Sequence, residues 1–214
     1  MTHAPSTMTT DLDTQVREAD HDRWLSSRFV ADAQARADLI TLYALEAELL
    51  AIPTRVTQPL LAEMRYTWWA EQLDGVFANE PRVGHPVLEA LTDLVARRGL
   101  DRAPFDALIE GHIERVQKAP HDLQALFVGP MQVAVHILAG SGHDQTVAEA
   151  GKVFALMQTG QEAEAKALRA DANRALKSLP AVAFPAVAHA SLSRQVPEPV
   201  KRLKLFWNTV RGRI

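Results

Sequence analysis

Apolar residues recur along most of this chain at intervals of three and four, and strand-like alternation persists nowhere. The pattern predicts an all-α fold. Within residues 35–53, ARADLITLYALEAELLAIP, the residues Leu39, Leu42, Tyr43, Leu45, Leu49 and Ile52 give a helix with a broad buried face, and Pro53 is expected to end it. An earlier helix is expected over 14–29, with Val16, Trp24 and Phe29 or Val30 available for burial and Asp11 or Asp13 near its positive end. Thr57 is the expected N-cap of a third helix over 58–79. Leu60, Leu61, Met64, Trp68, Leu73, Val76 and Phe77 form its expected core side, with Trp69 beside that face.

Pro86 suits the first turn of a fourth helix that ends at Gly99, and a fifth over 103–118 uses Phe105, Leu108, Ile109, Ile113 and Val116. Residues 122–139 are almost wholly apolar around Gly129 and Pro130, which predicts a central, kinked helix. Further helices are expected over 147–157, over the Ala/Glu-rich run 161–179, and over 184–193 and 199–211. No fixed-period repeat divides the chain. The expected organisation is a disordered N-terminal tail over 1–13 and a single helical bundle over 14–214.

Composition narrows the function classes. With 214 residues and no cysteine, the chain can bury a large core but has no disulfide, thiolate nucleophile or cysteine metal ligand. A net charge of −3 argues against nucleic acid as a partner. No uninterrupted apolar run reaches the roughly 18–20 residues that span a bilayer, and MTHAPSTMTTDLD lacks the features of a secretory signal, so a cytoplasmic location is expected.

Candidate chemistry is sparse. The eight histidines contain no i,i+4 pair and no HExxH arrangement, and His136, in the apolar sixth helix, reads as a core or cleft histidine. Glu110 and Glu114 share a helix face, but no second helix supplies a matching pair. Glu46 and Glu48 point to different sides of their helix. Whichever enters the interior needs a cationic partner, for which Arg65 is the expectation. No catalytic residue, metal ligand or cofactor is assigned.

Two stretches suggest contacts instead. Arg65, Tyr66 and Trp69 lie in the run RYTWW, where a core Trp68 with half-buried Tyr66 and Trp69 is the favoured reading and a partner surface, whose hot spots such residue types dominate, is the alternative. In VKRLKLFWNTVRGRI, the cations Lys201, Arg202, Lys204, Arg211 and Arg213 accompany Val200, Leu203, Phe206, Trp207, Val210 and Ile214 at helical spacing. That pattern describes either a helix lying on an anionic membrane surface or an ordinary terminal helix closing the bundle.

Several segments in a shared order resemble the squalene/phytoene synthase family of isoprenoid synthases. LYALEAELLAI resembles its first motif helix, the segment from Trp68 and Trp69 to Leu73 its WxxxL-type stretch, and HPVLEAL its HPVxxAL. FDALIEGHIERV resembles a helix ending in Gly-x-x-x-Asp, with Arg115 at the Asp position. AGKVFALMQTG is similar to the Gly-x-Ala-x-Gln-x-Thr-Asn helix, and AVAFPAVAHASL to a near-terminal Leu-Pro-x-x-x-x-Pro-Ala region. The resemblance implies a reduced isoprenoid synthase fold.

In active members two aspartate-rich motifs hold magnesium for a prenyl diphosphate. Here the first falls on Leu50, Ala51, Ile52, Pro53 and Thr54, and the second, after Thr159, is not reproduced by Glu162, Glu164 or Asp171. Within the family the chain resembles the non-catalytic branch of mitochondrial complex I assembly factors. Ala44, Leu45, Glu48, Leu49 and Leu50, then Met64, Arg65 and Trp68 or Trp69, match that branch's Ala-Phe-x-x-Glu-Leu-Ala and Leu-Met-Arg-x-x-x-Trp patterns. This implies a pseudoenzyme assisting complex I assembly, with a respiratory complex subunit or assembly factor as partner and peripheral attachment to the inner membrane. The alternatives are a prenyl diphosphate transferase with an altered metal site and an isoprenoid- or lipid-binding module.

Overall fold

The computed structural model describes residues 7–192 and 196–214, with side chains from residue 12 onward. Residues 1–6 of the expected tail, the Asp11 side chain and Ser193 lie outside the described residues. Ten α-helices and no strand occur among the described residues: α1 Thr7–Ala19, α2 His21–Ser27, α3 Ala33–Arg55, α4 Pro59–Phe77, α5 Pro86–Arg98, α6 Ala103–Val116, α7 Gly129–Ala139, α8 Asp144–Gln158, α9 Glu162–Ala175 and α10 Glu198–Arg211. Short 3₁₀ turns over Leu176–Ser178, Ala181–Ala186 and Ala188–Ser191 connect α9 to α10.

The long α3 is the axis of the bundle. It packs against α1, α2, α4, α5, α6 and α7, and its buried positions include every residue named for its core face. Asp32 caps it by accepting from Ala35 N at 2.6 Å. Asp38, buried on the same helix, receives Arg97 Nη1 at 2.5 Å and Arg98 Nε at 2.7 Å from the end of α5. A single apolar cluster runs from Leu12 in α1 to Ile214. The expected tail over 1–13 is corrected at its inner end: α1 starts at Thr7, not at residue 14, because Leu12 and Val16 have a core to enter. Asp20 then caps a separate α2, so the single helix expected over 14–29 is two.

Pro53 does not end α3. The helix runs two residues further, to Arg55. Proline has no N–H for the carbonyl four residues back, and here the Tyr66 hydroxyl donates to that Leu49 carbonyl at 3.0 Å. This bond sets the rotation of α4, which buries Ala62, Tyr66, Trp69, Leu73 and Val76. The expected core side of α4 is therefore wrong at its start. Leu60, Leu61 and Met64 are exposed, and Trp69, not Trp68, is the deeper indole. The N-cap is Gln58 rather than Thr57, with Pro59 in the first turn.

The kink expected near Gly129 and Pro130 is a π-helical turn, Gln124–Val128, that runs directly into α7. α8 crosses this turn closely. A Cβ on Gly151 would lie 3.0 Å from Val128 Cα and 3.1 Å from its Cγ2, so glycine lets the two backbones meet. Gly151→Ala is expected to lower stability by roughly 1–3 kcal/mol through overpacking, read as a reduced urea midpoint. An unchanged midpoint would show that the turn yields freely.

Candidate functional site

α2, α3, the end of α6, the π turn, α8, the 188–191 turn and α10 enclose a cavity of about 860 Å³. Leu50 lines one side, and Gln158 and Thr159 line another. A smaller pocket of about 210 Å³ shares Asp20, Arg23 and Leu50 with it and reaches Tyr43, Glu46 and Ala51.

Arg23 stands between the two spaces. The Asp20 side chain caps α2 by accepting from Arg23 N at 3.0 Å, and this points the arginine inward. Its Nη1 meets Glu46 Oε2 at 2.6 Å, and both side chains are buried. The guanidinium also lies over the rings of Tyr43, at 5.1 Å, and Phe154, at 5.4 Å. His189 meets the Phe154 ring edge-on at 4.7 Å.

Burial drives the protonation states. Desolvation pushes the Glu46 carboxyl up, and Arg23 only partly offsets it. Desolvation acts to lower Arg23, but Glu46 and Asp20 outweigh it, so the guanidinium stays charged. Burial raises the Tyr43 hydroxyl, and burial with the nearby Arg23 charge holds His189 well below the usual histidine range, hence neutral. On α6, buried His112 stacks on Tyr66 at 5.3 Å and is pushed down to about 4 by desolvation and then by Arg115.

The interior carboxylate is Glu46, and its partner is Arg23, not Arg65. Glu48 faces the other way, taking Gln15 Nε2 at 2.6 Å and Arg55 Nη1 at 3.2 Å, and Arg65 is exposed on α4. The Arg65–Trp69 run divides. Tyr66 is committed to the Leu49 carbonyl and is not available to a partner, while Trp69 forms the floor of a surface groove of about 580 Å³ that Arg65, Met64 and Leu61 also line. Glu110 is exposed, His136 is half-buried, and neither lines the large cavity.

Of the two expectations for α10, the one in which its apolar side closes the bundle is not met. Lys201 is buried against Asp22 at 2.7 Å, and Lys204 donates to the Ser191 carbonyl, so these two cations face inward. Leu205 packs beside them, whereas Val200, Leu203, Phe206, Trp207 and Val210 are exposed and Ile214 is buried. Arg202 pairs with Glu198 at 2.6 Å, and Arg211 covers the Trp207 ring at 4.2 Å.

The cavity does not suit the magnesium ions of a prenyl diphosphate site. Leu50 and Ala51 offer no ligand atoms, the Thr54 hydroxyl is engaged with the Ala51 carbonyl at 2.8 Å, and Glu46 is neutralised by Arg23. At the second position, Thr159 donates to the Ala155 carbonyl at 3.0 Å, and Glu162, Glu164 and Asp171 are exposed on α9. Among the described residues no group of three or more acidic or histidine side chains is placed to hold a metal ion.

The fold, helical throughout the described residues, holds a cleft bordered by Leu50 on α3 and by Gln158 and Thr159 at the end of α8. The model of the squalene/phytoene synthase family matches residues 16–128, just over half of the chain, and the chain belongs to that family. The structure is also similar to that of the squalene synthase HpnC from Alicyclobacillus acidocaldarius, with a TM-score of 0.70 over 96% of this chain and 94% of that one. At 14% identity this likeness speaks for the fold alone. No curated protein matches the chain in sequence.

The residues missed in the sequence are Arg23, Tyr43 as a polar group, and His189. The need for a cation beside an interior Glu46 was legible, but nothing local identified Arg23 as that cation. Arg23→Met is expected to cost roughly 3–5 kcal/mol by leaving Glu46 buried and unpaired, and Arg23→Met with Glu46→Leu to recover most of the loss. Urea unfolding of the three proteins checks this. A double variant no more stable than Arg23→Met would mean that the guanidinium acts through its ring contacts instead.

Proposed function

We propose that this chain is a non-catalytic squalene/phytoene synthase-like protein that assists the assembly of respiratory complex I by contact. The carrying observation is the altered cleft wall: Leu50 and Ala51 stand at the first motif, and the carboxylate one turn earlier, Glu46, is bound to Arg23. A leaving diphosphate needs its charge neutralised by metal, and this wall supplies no ligands for that metal. The complex I partner rests on the motif resemblance at Ala44–Leu50 and Met64–Trp69.

The groove at the start of α4 is the proposed protein contact. Exposed Leu60, Leu61 and Met64 surround Arg65, which makes no ion pair among the described residues. An amphipathic partner segment bearing an acidic residue fits this combination. Purified protein with farnesyl diphosphate and magnesium is expected to give no product. Deleting the gene is expected to lower the level of assembled complex I, restored by the wild-type chain but not by Arg65→Glu with Met64→Asp. An unchanged complex level would overturn the assembly role, and metal-dependent product would overturn the loss of catalysis.

The outer face of α10 is proposed to lie on an anionic membrane. Five large apolar side chains share that face, and after Glu198 the helix and its tail carry cations and no acid, with Arg202, Arg211 and Arg213 exposed. No helix among the described residues is long and apolar enough to cross a membrane. Leu203→Ser with Phe206→Ser leaves the docking residues Lys201 and Leu205 intact and is expected to reduce sedimentation with phosphatidylserine vesicles several-fold. Equal sedimentation of variant and wild type would rule this face out.

A further inference from the structure

α9 and α10 meet along a seam whose two facing cations have no counter-charge. Asn173 of α9 ties the helices together at one end, its side-chain amide accepting from Ile214 N at 2.8 Å and donating to the Ile214 carbonyl at 3.2 Å. Arg169 lies one turn before Asn173 on the same side of α9, so it too faces α10. Across the seam stands half-buried Lys204, which burial and then the Arg169 charge hold below the usual lysine range. Lys204 uses one donor on the Ser191 carbonyl and keeps two. Arg169, also half-buried, makes no hydrogen bond or ion pair among the described residues. The nearby acids are taken, Asp171 by Arg174 at 2.8 Å and Glu198 by Arg202 at 2.6 Å. Two like charges held together with their hydration reduced are unfavourable unless an anion joins them.

The seam opens beside the outward stripe of α10. Val200 and Trp207, one turn to either side of Lys204, are exposed members of that stripe, and Arg211 continues the cationic edge one turn beyond Trp207.

We propose that this seam binds the phosphate of an anionic phospholipid, with Arg169 and Lys204 holding the head and the apolar stripe of α10 meeting the acyl region.

The chemistry of the pair selects the head. A guanidinium fork takes two phosphate oxygens at once, and an ammonium takes a third as a point charge. With no acid free in the seam, a phosphomonoester such as that of phosphatidic acid fits better than a head carrying its own ammonium, which would lie against both cations. The site rests on the membrane reading of α10 and adds a lipid preference to it.

The test sediments the full-length protein with phosphatidylcholine vesicles that carry either phosphatidic acid or phosphatidylserine at matched surface charge. Wild type is expected to favour phosphatidic acid roughly fivefold. Arg169→Gln and Lys204→Gln should each bring the two lipids level, while Arg213→Gln, at an exposed cation outside the seam, should weaken both equally and keep the preference. Without lipid, Arg169→Gln removes a like-charge contact and is expected to leave thermal stability unchanged or raised; a fall would make the arginine structural and count against the site. Equal sedimentation of wild type with the two lipids overturns the phosphate site and leaves the membrane reading standing, whereas no sedimentation with either overturns both. A preference that survives both seam substitutions overturns the assignment to Arg169 and Lys204. Glycerol 3-phosphate that stabilises wild type but not Arg169→Gln, with no lipid preference, would give the seam to a soluble phosphate instead of a membrane.

Discussion

The ion pair between Arg23 and Glu46 constrains the whole cavity end of the molecule. A buried guanidinium and carboxylate each lose hydration worth several kcal/mol, and the loss is recovered only if the two are held in contact. α2 is seven residues long and could not hold a position by itself. Its placement follows from Asp20 capping it at one end, Arg23 reaching α3, and Ser26 donating to the Pro185 carbonyl at 2.5 Å. The ring of Phe154 brings α8 against the same guanidinium, so α2, α3 and α8 are fixed relative to one another by one side chain.

Where helices would form was largely legible, and how they are rotated was not. Spacing located the buried face of α3 because its apolar residues occupy one broad side. α4 has large apolar residues around most of its circumference, at Leu60, Leu61, Met64, Trp68, Trp69 and Leu73, so periodicity could not select a face. The choice was made by one hydroxyl, Tyr66, meeting the carbonyl that Pro53 leaves free. That tertiary bond links residues 49 and 66 and has no signature in either segment. The same bond explains why a proline, normally a stop, lies within α3.

The resemblance puts Leu50, Ala51 and Thr54 at the family's first motif, and none of the three carries a carboxylate. What occupies the cavity instead was less accessible. Glu46 was marked as a carboxylate in need of a cation, but the nearest candidate in a helix-by-helix reading was Arg65, whereas Arg23 arrives from a helix formed only because Asp20 breaks the chain after α1. His189 was one histidine among eight, in a stretch expected as a helix over 184–193 that instead forms the 3₁₀ turns Ala181–Ala186 and Ala188–Ser191. Its burial depends on three 3₁₀ turns that fold back over α7 and α8.

α10 joins these two halves of the argument. A helix with one regular apolar face and two lysines would ordinarily bury the apolar face. Here Lys201 instead finds Asp22 on α2 and Lys204 finds the Ser191 carbonyl, so the polar side turns inward. Lys201 also lines the cavity, next to the turn that carries His189. The cavity rim and the inner side of α10 are therefore the same surface, while the exposed stripe lies on the helix's other side. Displacement of α10 by anything bound to that stripe would have to break the Lys201 to Asp22 pair, one of the contacts that hold α2 beside the cavity.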